Sequence, residues 1–83
     1  MSPDPIFRPE VLEELAGHGV VPNPSTRPEV IREYLSDLYR YEIRRLKRRL
    51  LAGEFPNDEY LSRVIALRKR YLLLSIPVRL WMR

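Results

Sequence analysis

The sequence predicts an all-α fold built around an antiparallel helical hairpin. Two segments, residues 27–52 and 58–75, carry apolar side chains at the three- and four-residue spacing of a single helix face. Gly53 and Pro56 interrupt helical geometry between them. Because the connection is so short, the two arms must lie side by side and run in opposite directions.

Length and composition place the whole chain, residues 1–83, in a single small helical domain. Hydrophobic residues make up 45% of the chain and charged residues 31%, which is typical of a folded protein rather than a disordered one. The absence of cysteine excludes disulfides and thiolate metal sites. The sequence shows no secretion signal and no apolar run near the roughly 18 residues that cross a bilayer, so we expect a cytoplasmic protein.

The net charge of +4 is distributed unevenly along the chain. Residues 1–39 hold three basic and seven acidic side chains, a balance of −4, whereas residues 40–83 hold twelve basic and four acidic ones, a balance of +8. The acidic first half and the basic second half can attract each other within the fold. The basic half can equally face an acidic partner, and the charge pattern does not separate the two.

A short helix is predicted over residues 9–16, after an extended segment at residues 1–8. Pro9 suits the first turn of a helix, and Gly17 favours its end. Two turns are not stable alone, so we expect this helix to pack on the hairpin. Residues 18–25 then form a linker, because their prolines and glycine are incompatible with a helix.

The first arm, residues 27–52, is predicted to begin at a capping box formed by Thr26 and Glu29. Its apolar stripe consists of Ile31, Leu35, Leu38, Tyr39, Ile43, Leu46 and Leu50. Gly53 is a favourable residue just beyond its end. At 1.5 Å per residue the arm is about 39 Å long, which makes it the longest element of the predicted fold.

The second arm, residues 58–75, has two carboxylates in its first turn, where the helix dipole favours negative charge. Its apolar stripe consists of Tyr60, Leu61, Val64, Ile65, Leu67, Tyr71, Leu72 and Leu74. Pro77 is expected to end it. The basic-apolar tail that follows, residues 76–83, fits either an extended segment or one more helical turn.

One charged residue of each arm falls inside the apolar stripe when the arms are drawn as helical wheels. These residues are Glu42 and Arg68, and each lies thirteen residues from Phe55 at the centre of the turn. Their equal distance predicts an interhelical ion pair, since an unpaired buried charge would cost several kcal/mol. The pair would fix the register of the hairpin, or it would form a polar site for an anionic ligand. Arg45 and Arg49 lie near enough to compete for Glu42.

Basic side chains cluster on the predicted solvent side of both arms. The candidate contacts for nucleic acid or another anion are Arg40, Arg44, Lys47, Lys69 and Arg70. Tyrosines near such a face could stack on bases while the cations bind phosphates. Long basic side chains also cover the apolar flanks of helices without binding any ligand. The chain has no motif that reads a nucleic-acid groove, so nucleic-acid binding is the alternative function and not the first one.

A second apolar stripe, which includes Tyr34 and Tyr41, lies beside the main stripe of the first arm. A hairpin closes with one stripe, so the second must meet the N-terminal helix, a second copy of the chain or a different protein. The tail adds Leu80, Trp81 and Met82, a composition typical of interface residues. These five residues are the candidate protein interface, with packing of the tail on the hairpin as the alternative.

These features predict a small protein-interaction module, an accessory subunit or adaptor of a larger assembly with no catalysis of its own. We expect a protein partner or a homodimer, and we infer no membrane contact and no small-molecule substrate. A small helical enzyme acting on an anionic substrate is a remote alternative. No catalytic, cofactor or metal site is predicted, because the single histidine, His18, suits plain linker surface and the sequence holds no glycine-rich phosphate loop.

Overall fold

The computed structural model describes residues 7–23 and 25–83. Within them the chain folds into the helices α1 (Pro9–Gly17), α2 (Pro28–Leu51) and α3 (Tyr60–Arg70), together with the short 3-10 turns Asn57–Glu59, Leu72–Ser75 and Val78–Leu80. The predicted all-α class is confirmed. Residues 1–6 of the predicted extended segment and Pro24 of the predicted linker lie outside the described residues.

α2 begins at Pro28, and its predicted capping box is wrong. Arg27 is the N-cap residue, and its side chain makes no capping hydrogen bond. The Thr26 hydroxyl instead accepts a hydrogen bond from the Asn23 amide at 3.0 Å. Proline explains the shift, because it favours the first helical position and so leaves Thr26 one residue outside the cap.

A glycine with positive φ closes both α1 and α2. These residues are Gly19 (φ 74°) and Gly53 (φ 75°). After Gly53, the Glu54 amide donates to the Arg49 carbonyl at 3.0 Å, the outer hydrogen bond of a Schellman motif. The side chains of the same two residues form an ion pair, with Arg49 Nε 3.0 Å from Glu54 Oε1. Backbone and side chains therefore fix the turn together.

The second arm is shorter than predicted, because α3 ends at Arg70. Tyr71 leaves helical geometry (φ −112°, ψ 41°), and Leu72–Ser75 forms a 3-10 turn. The Arg70 carbonyl, left free at the helix end, accepts a hydrogen bond from His18 Nε2 at 2.6 Å. The change from α-helix to 3-10 turn places Leu73 in the core. This packing explains why α3 ends before the predicted residue 75.

The hydrophobic core lies where α1, the first half of α2, the end of α3 and residues 71–82 meet. Its buried residues are Phe7, Val11, Leu15, Ile31, Leu35, Leu67, Tyr71, Leu73 and Trp81. Trp81 is fully buried, and its indole Nε1 donates to the Ile76 carbonyl at 3.1 Å. The tail forms a 3-10 turn and then an isolated antiparallel bridge between Phe7 and Met82. Both conformations left open for the tail therefore occur in it.

The other end of the molecule is a thin pair of helices. Leu46 and Phe55 are buried there, outside the main core. The guanidinium carbons of Arg63 and Arg49 lie 4.2 and 5.8 Å from the centre of the Phe55 ring, within cation–π range. The molecule measures 57 × 18 × 16 Å. We call the part around the core the head. From here on, the arm means residues 43–66, which include parts of both predicted arms.

Candidate binding surfaces

The Glu42 carboxylate lies between the two long helices but is bound by different residues from the one predicted. The Tyr71 hydroxyl donates a hydrogen bond to it, and Arg70 Nη1 lies 3.7 Å from it. Arg68 is exposed and lines a groove that does not include Glu42. The predicted ion pair between Glu42 and Arg68 is therefore wrong.

Distance from the turn fixes the level of a residue along a helix but not its direction around the helix. The prediction assumed one continuous α-helix after the turn. The 3-10 turn Asn57–Glu59 advances each residue by about 120° instead of 100°, which rotates the faces of α3 relative to that assumption. The partners of Glu42 accordingly lie two and three residues beyond Arg68.

Tyr71 serves as the hydrogen-bond donor that satisfies Glu42. Burial raises the pKa of Tyr71 to about 12, and the hydrogen bond to the Glu42 carboxylate acts in the same direction. Its ring lies 4.4 Å from the His18 ring and meets the Tyr39 ring edge-on at 5.4 Å. Spacing carries no signal for such long-range contacts, so the roles of the Tyr71 hydroxyl and of His18 were missed in the sequence.

A groove of about 320 Å³ runs between α2 and α3, from the arm to its junction with the head. Its lining residues are Glu42, Arg45, Leu46, Arg49, Arg63, Ala66, Leu67 and Arg70. The two leucines are buried, and each of the two helices contributes two arginines. We call this feature the arginine groove.

Of the basic residues predicted as anion contacts, Arg70 lines the arginine groove and Lys69 lines a different one. The remaining three are exposed and line neither groove: Arg40, Arg44 and Lys47. The structure therefore does not bring the five together. Arg45 and Arg49 were predicted near Glu42, but their grouping with Arg63 and Arg70 of the other helix was missed, because residues of two helices meet only when the helices pack. The four-residue spacing of Arg45 and Arg49 was the available signal.

A second groove, of about 400 Å³, lies beside α3 and the turn that follows it. Its lining residues are Tyr39, Ile65, Arg68, Lys69, Tyr71, Leu72, Leu74 and Ser75. Aliphatic and aromatic side chains predominate, in contrast to the arginine groove. Arg68, predicted inside the hairpin, is thus one of two basic residues on a mainly apolar surface.

Val30, Tyr34 and Tyr41 form an exposed face of α2 that we call the aromatic strip. Their exposed fractions are 54, 50 and 56%. Spacings of four and seven residues place them on one side of the helix. α1 packs in the core through Val11 and Leu15, so the alternative in which the N-terminal helix covers this stripe is not the arrangement seen. The strip is therefore exposed along α2.

Trp81, the aromatic residue of the interface predicted for the tail, is not available at the surface. Trp81 is fully buried, whereas Leu80 is exposed and Met82 is half-buried beside Phe7. The reason is the large apolar area of the indole, which the small head needs to complete its core. Packing of the tail, the alternative in the sequence reading, is the arrangement seen.

The part of the chain that the structure describes contains no group of three or more histidine or carboxylate side chains arranged to hold a metal ion. In the same residues, no helix combines the length and the apolar character required to cross a membrane. Comparison with known proteins gave no match to a family model, to a curated protein or to a solved structure.

Proposed function

We propose that the chain is a small helical interaction module, a cytoplasmic accessory subunit without catalytic chemistry, that docks through the aromatic strip. The observation that carries the proposal is that Tyr34 and Tyr41 remain half-exposed on a long helix after the core has been filled. Tyrosine combines a large apolar ring with a polar tip and loses little side-chain entropy on binding. Two tyrosines on one rigid face therefore favour a protein contact.

The charges beside the strip change sign along α2. Glu33 and Asp37 lie in its first half, and Arg44 and Arg48 in its second half. A partner helix that carries the same pattern and lies antiparallel would set acidic residues against basic ones. A second copy of this chain supplies that pattern, so we commit to it as the occupant of the strip.

The self-contact has a defined geometry. Two copies of α2 related by a two-fold axis would place Tyr34 of each opposite Tyr41 of the other, because a two-fold interface is self-complementary. The level of Glu33 would then fall between Arg40 and Arg44 of the other copy. From Val30 to Tyr41 the contact would extend about 16 Å, or three helical turns.

Sedimentation velocity over a range of protein concentrations tests this docking. We expect a dimer whose Kd rises about tenfold or more when Tyr34→Ala and Tyr41→Ala are combined, because buried aromatic anchors dominate interfaces. Leu51→Ala is the control, since Leu51 is 79% exposed but lies beyond the strip. A chain that stays monomeric, or a dimer that the double variant leaves unchanged, would contradict the proposal.

A charge reversal tests the antiparallel orientation. Glu33→Arg should raise the Kd of the dimer about threefold, because two symmetry-related contacts between exposed charges become repulsive. Combining Glu33→Arg with Arg44→Glu should restore the original Kd. If the combined variant dimerises no better than the single one, the antiparallel arrangement is wrong.

A further inference from the structure

We infer that the arginine groove is a binding site for linked phosphoryl groups, the anionic element shared by nucleotide polyphosphates and the nucleic-acid backbone. The inference does not rest on the aromatic strip. It rests on four guanidinium groups that two packed helices place around one groove of about 320 Å³. Phosphoryl oxygens are the ligands that such a set of planar, permanently charged donors binds best.

The groove holds more positive charge than its own carboxylate neutralises. Among the described residues that line the groove, one is acidic, Glu42, and four are arginines. That carboxylate is shared between the Tyr71 hydroxyl and Arg70, whose Nη1 is 3.7 Å away. Arg45 takes part in none of the ion pairs found within residues 7–23 and 25–83. Arg45 is therefore the groove arginine that is available to pair with an added anion.

Two further arginines are only partly engaged by carboxylates outside the groove. Arg49 donates through Nε to Glu54 at 3.0 Å, and Arg63 donates through Nη2 to Glu59 at 3.2 Å. Each guanidinium carries five N–H donors, so most of their donors are left for a ligand. Arg63 Nε is buried with no hydrogen-bond partner in the described part of the chain, so one N–H donor of this guanidinium is unsatisfied.

Phe55 prepares the groove by holding two of these side chains in place. Its buried ring lies under the guanidinium of Arg63 at 4.2 Å and near that of Arg49 at 5.8 Å. A side chain that is already fixed loses less entropy when a ligand binds. The Phe55 contact therefore orders the cations before any anion arrives.

The spread of the arginines favours several linked anionic groups over one. Arg45 and Arg49 are about 6 Å apart along α2, and Arg63 and Arg70 are about 10 Å apart along α3. A single carboxylate cannot reach across these distances. A chain of phosphoryl groups offers one charged group after another and can bind arginines of both helices at once.

Titration calorimetry of the full chain with inorganic tripolyphosphate tests the site at one fixed, low ionic strength. Arg45→Gln should raise the Kd about tenfold, because it removes a charged hydrogen-bond donor that the fold does not use. Lys47→Gln is the control, since it removes one positive charge two residues away on α2, on an exposed face outside both the groove and the aromatic strip. It should change the Kd by no more than about twofold.

A second variant should strengthen binding. Glu42→Gln removes the groove's own carboxylate while keeping a carbonyl oxygen that can accept the Tyr71 hydrogen bond. We expect the Kd for tripolyphosphate to fall about threefold, since the repulsion of a neighbouring negative charge is lost. Circular dichroism confirms that each variant is folded. A Kd that is unchanged or higher in a folded Glu42→Gln protein argues against the site.

Three further ligands identify the source of the phosphoryl groups and test the inference against a peptide. Binding of ATP above that of a twelve-nucleotide single-stranded DNA supports a nucleotide polyphosphate, and the reverse order supports a nucleic-acid backbone. The inference is overturned if neither these ligands nor tripolyphosphate bind. It is also overturned if hexaglutamate binds as well as tripolyphosphate, or if Lys47→Gln and Arg45→Gln weaken binding equally.

Discussion

At the scale of single residues, Tyr71 joins three parts of the chain. It is the first residue beyond α3, its hydroxyl donates to Glu42 of α2, and its ring stacks on His18 just after α1. His18 in turn donates to the Arg70 carbonyl at 2.6 Å. The hydroxyl and the ring have separate tasks, so a substitution that removes only the oxygen can distinguish them.

Tyr71→Phe is expected to lower the free energy of unfolding at pH 7 by about 1–3 kcal/mol, because the part-buried Glu42 carboxylate loses its donor. The pH dependence should change as well. The pKa of Tyr71 is raised to about 12 in the fold, so the hydroxyl contributes stability below its ordinary pKa near 10, and that contribution is lost as the pH rises towards 12. Urea denaturation at pH 7 and between pH 9 and 12 measures both effects.

Tyr60→Phe is the control for that measurement, since Tyr60 is a part-exposed tyrosine at the start of α3, outside the aromatic strip. Its stability should follow the wild-type curve at every pH. The difference between the wild-type protein and Tyr71→Phe should shrink between pH 10 and 12. A difference that stays constant over this range would show that the Glu42 contact does not depend on the Tyr71 proton.

At the scale of elements, the two helix-ending glycines and Gly17 make different demands on the backbone. Gly53 has φ 75° and makes the C-terminal turn of α2, although no atom within 4 Å would meet an added Cβ. Gly17 lies inside α1, has equally open surroundings and needs no positive φ. An added methyl group would fit at both positions. The effect of alanine on stability therefore depends on the backbone conformation at each one.

Gly53→Ala is expected to destabilise the fold by about 1 kcal/mol, because an L-residue in the left-handed region is strained. Gly17→Ala should act in the opposite direction, by up to about 1 kcal/mol, because alanine favours a helix over glycine. Thermal unfolding of both variants measures the effects as shifts in Tm. Two shifts of the same sign would contradict this explanation.

The sequence specifies element type better than it specifies which residues meet. Pro28 and Gly53 act through local backbone geometry, so the start and end of α2 could be read within a residue or two. The contact of Glu42 with Tyr71 depends on the rotation of α3 after the 3-10 turn at residues 57–59, which no periodicity reports. The arginine groove likewise arises only when the flanks of two helices come together. The candidate site was therefore less predictable than the fold.

At the scale of the whole molecule, stability should be distributed unevenly. Among the described residues, the head contains nine buried core residues, whereas the arm has Leu46 and Phe55 buried apart from them. Local opening of a segment costs less where fewer apolar contacts are broken. The extents of 57 × 18 × 16 Å show how far the arm reaches from the head.

Amide hydrogen exchange is expected to report this gradient. Protection should be highest around Ile31 and Leu35, which pack in the core, and should decrease along α2 towards Leu50. A dimer contact would add protection to the amides between Val30 and Tyr41. Comparing exchange at low and high protein concentration separates that contribution from the gradient. Uniform protection along α2 would show that head and arm unfold as one unit.

The isolated bridge between Phe7 and Met82 brings the two ends of the described chain to one point on the head. α2 alone spans about 36 Å, so the turn at Gly53 lies far from that point. A probe attached at Arg83 would therefore be carried close to that point, and the arm would project away from it. A distance measured from it to the turn reports how far the turn at Gly53 lies from the head.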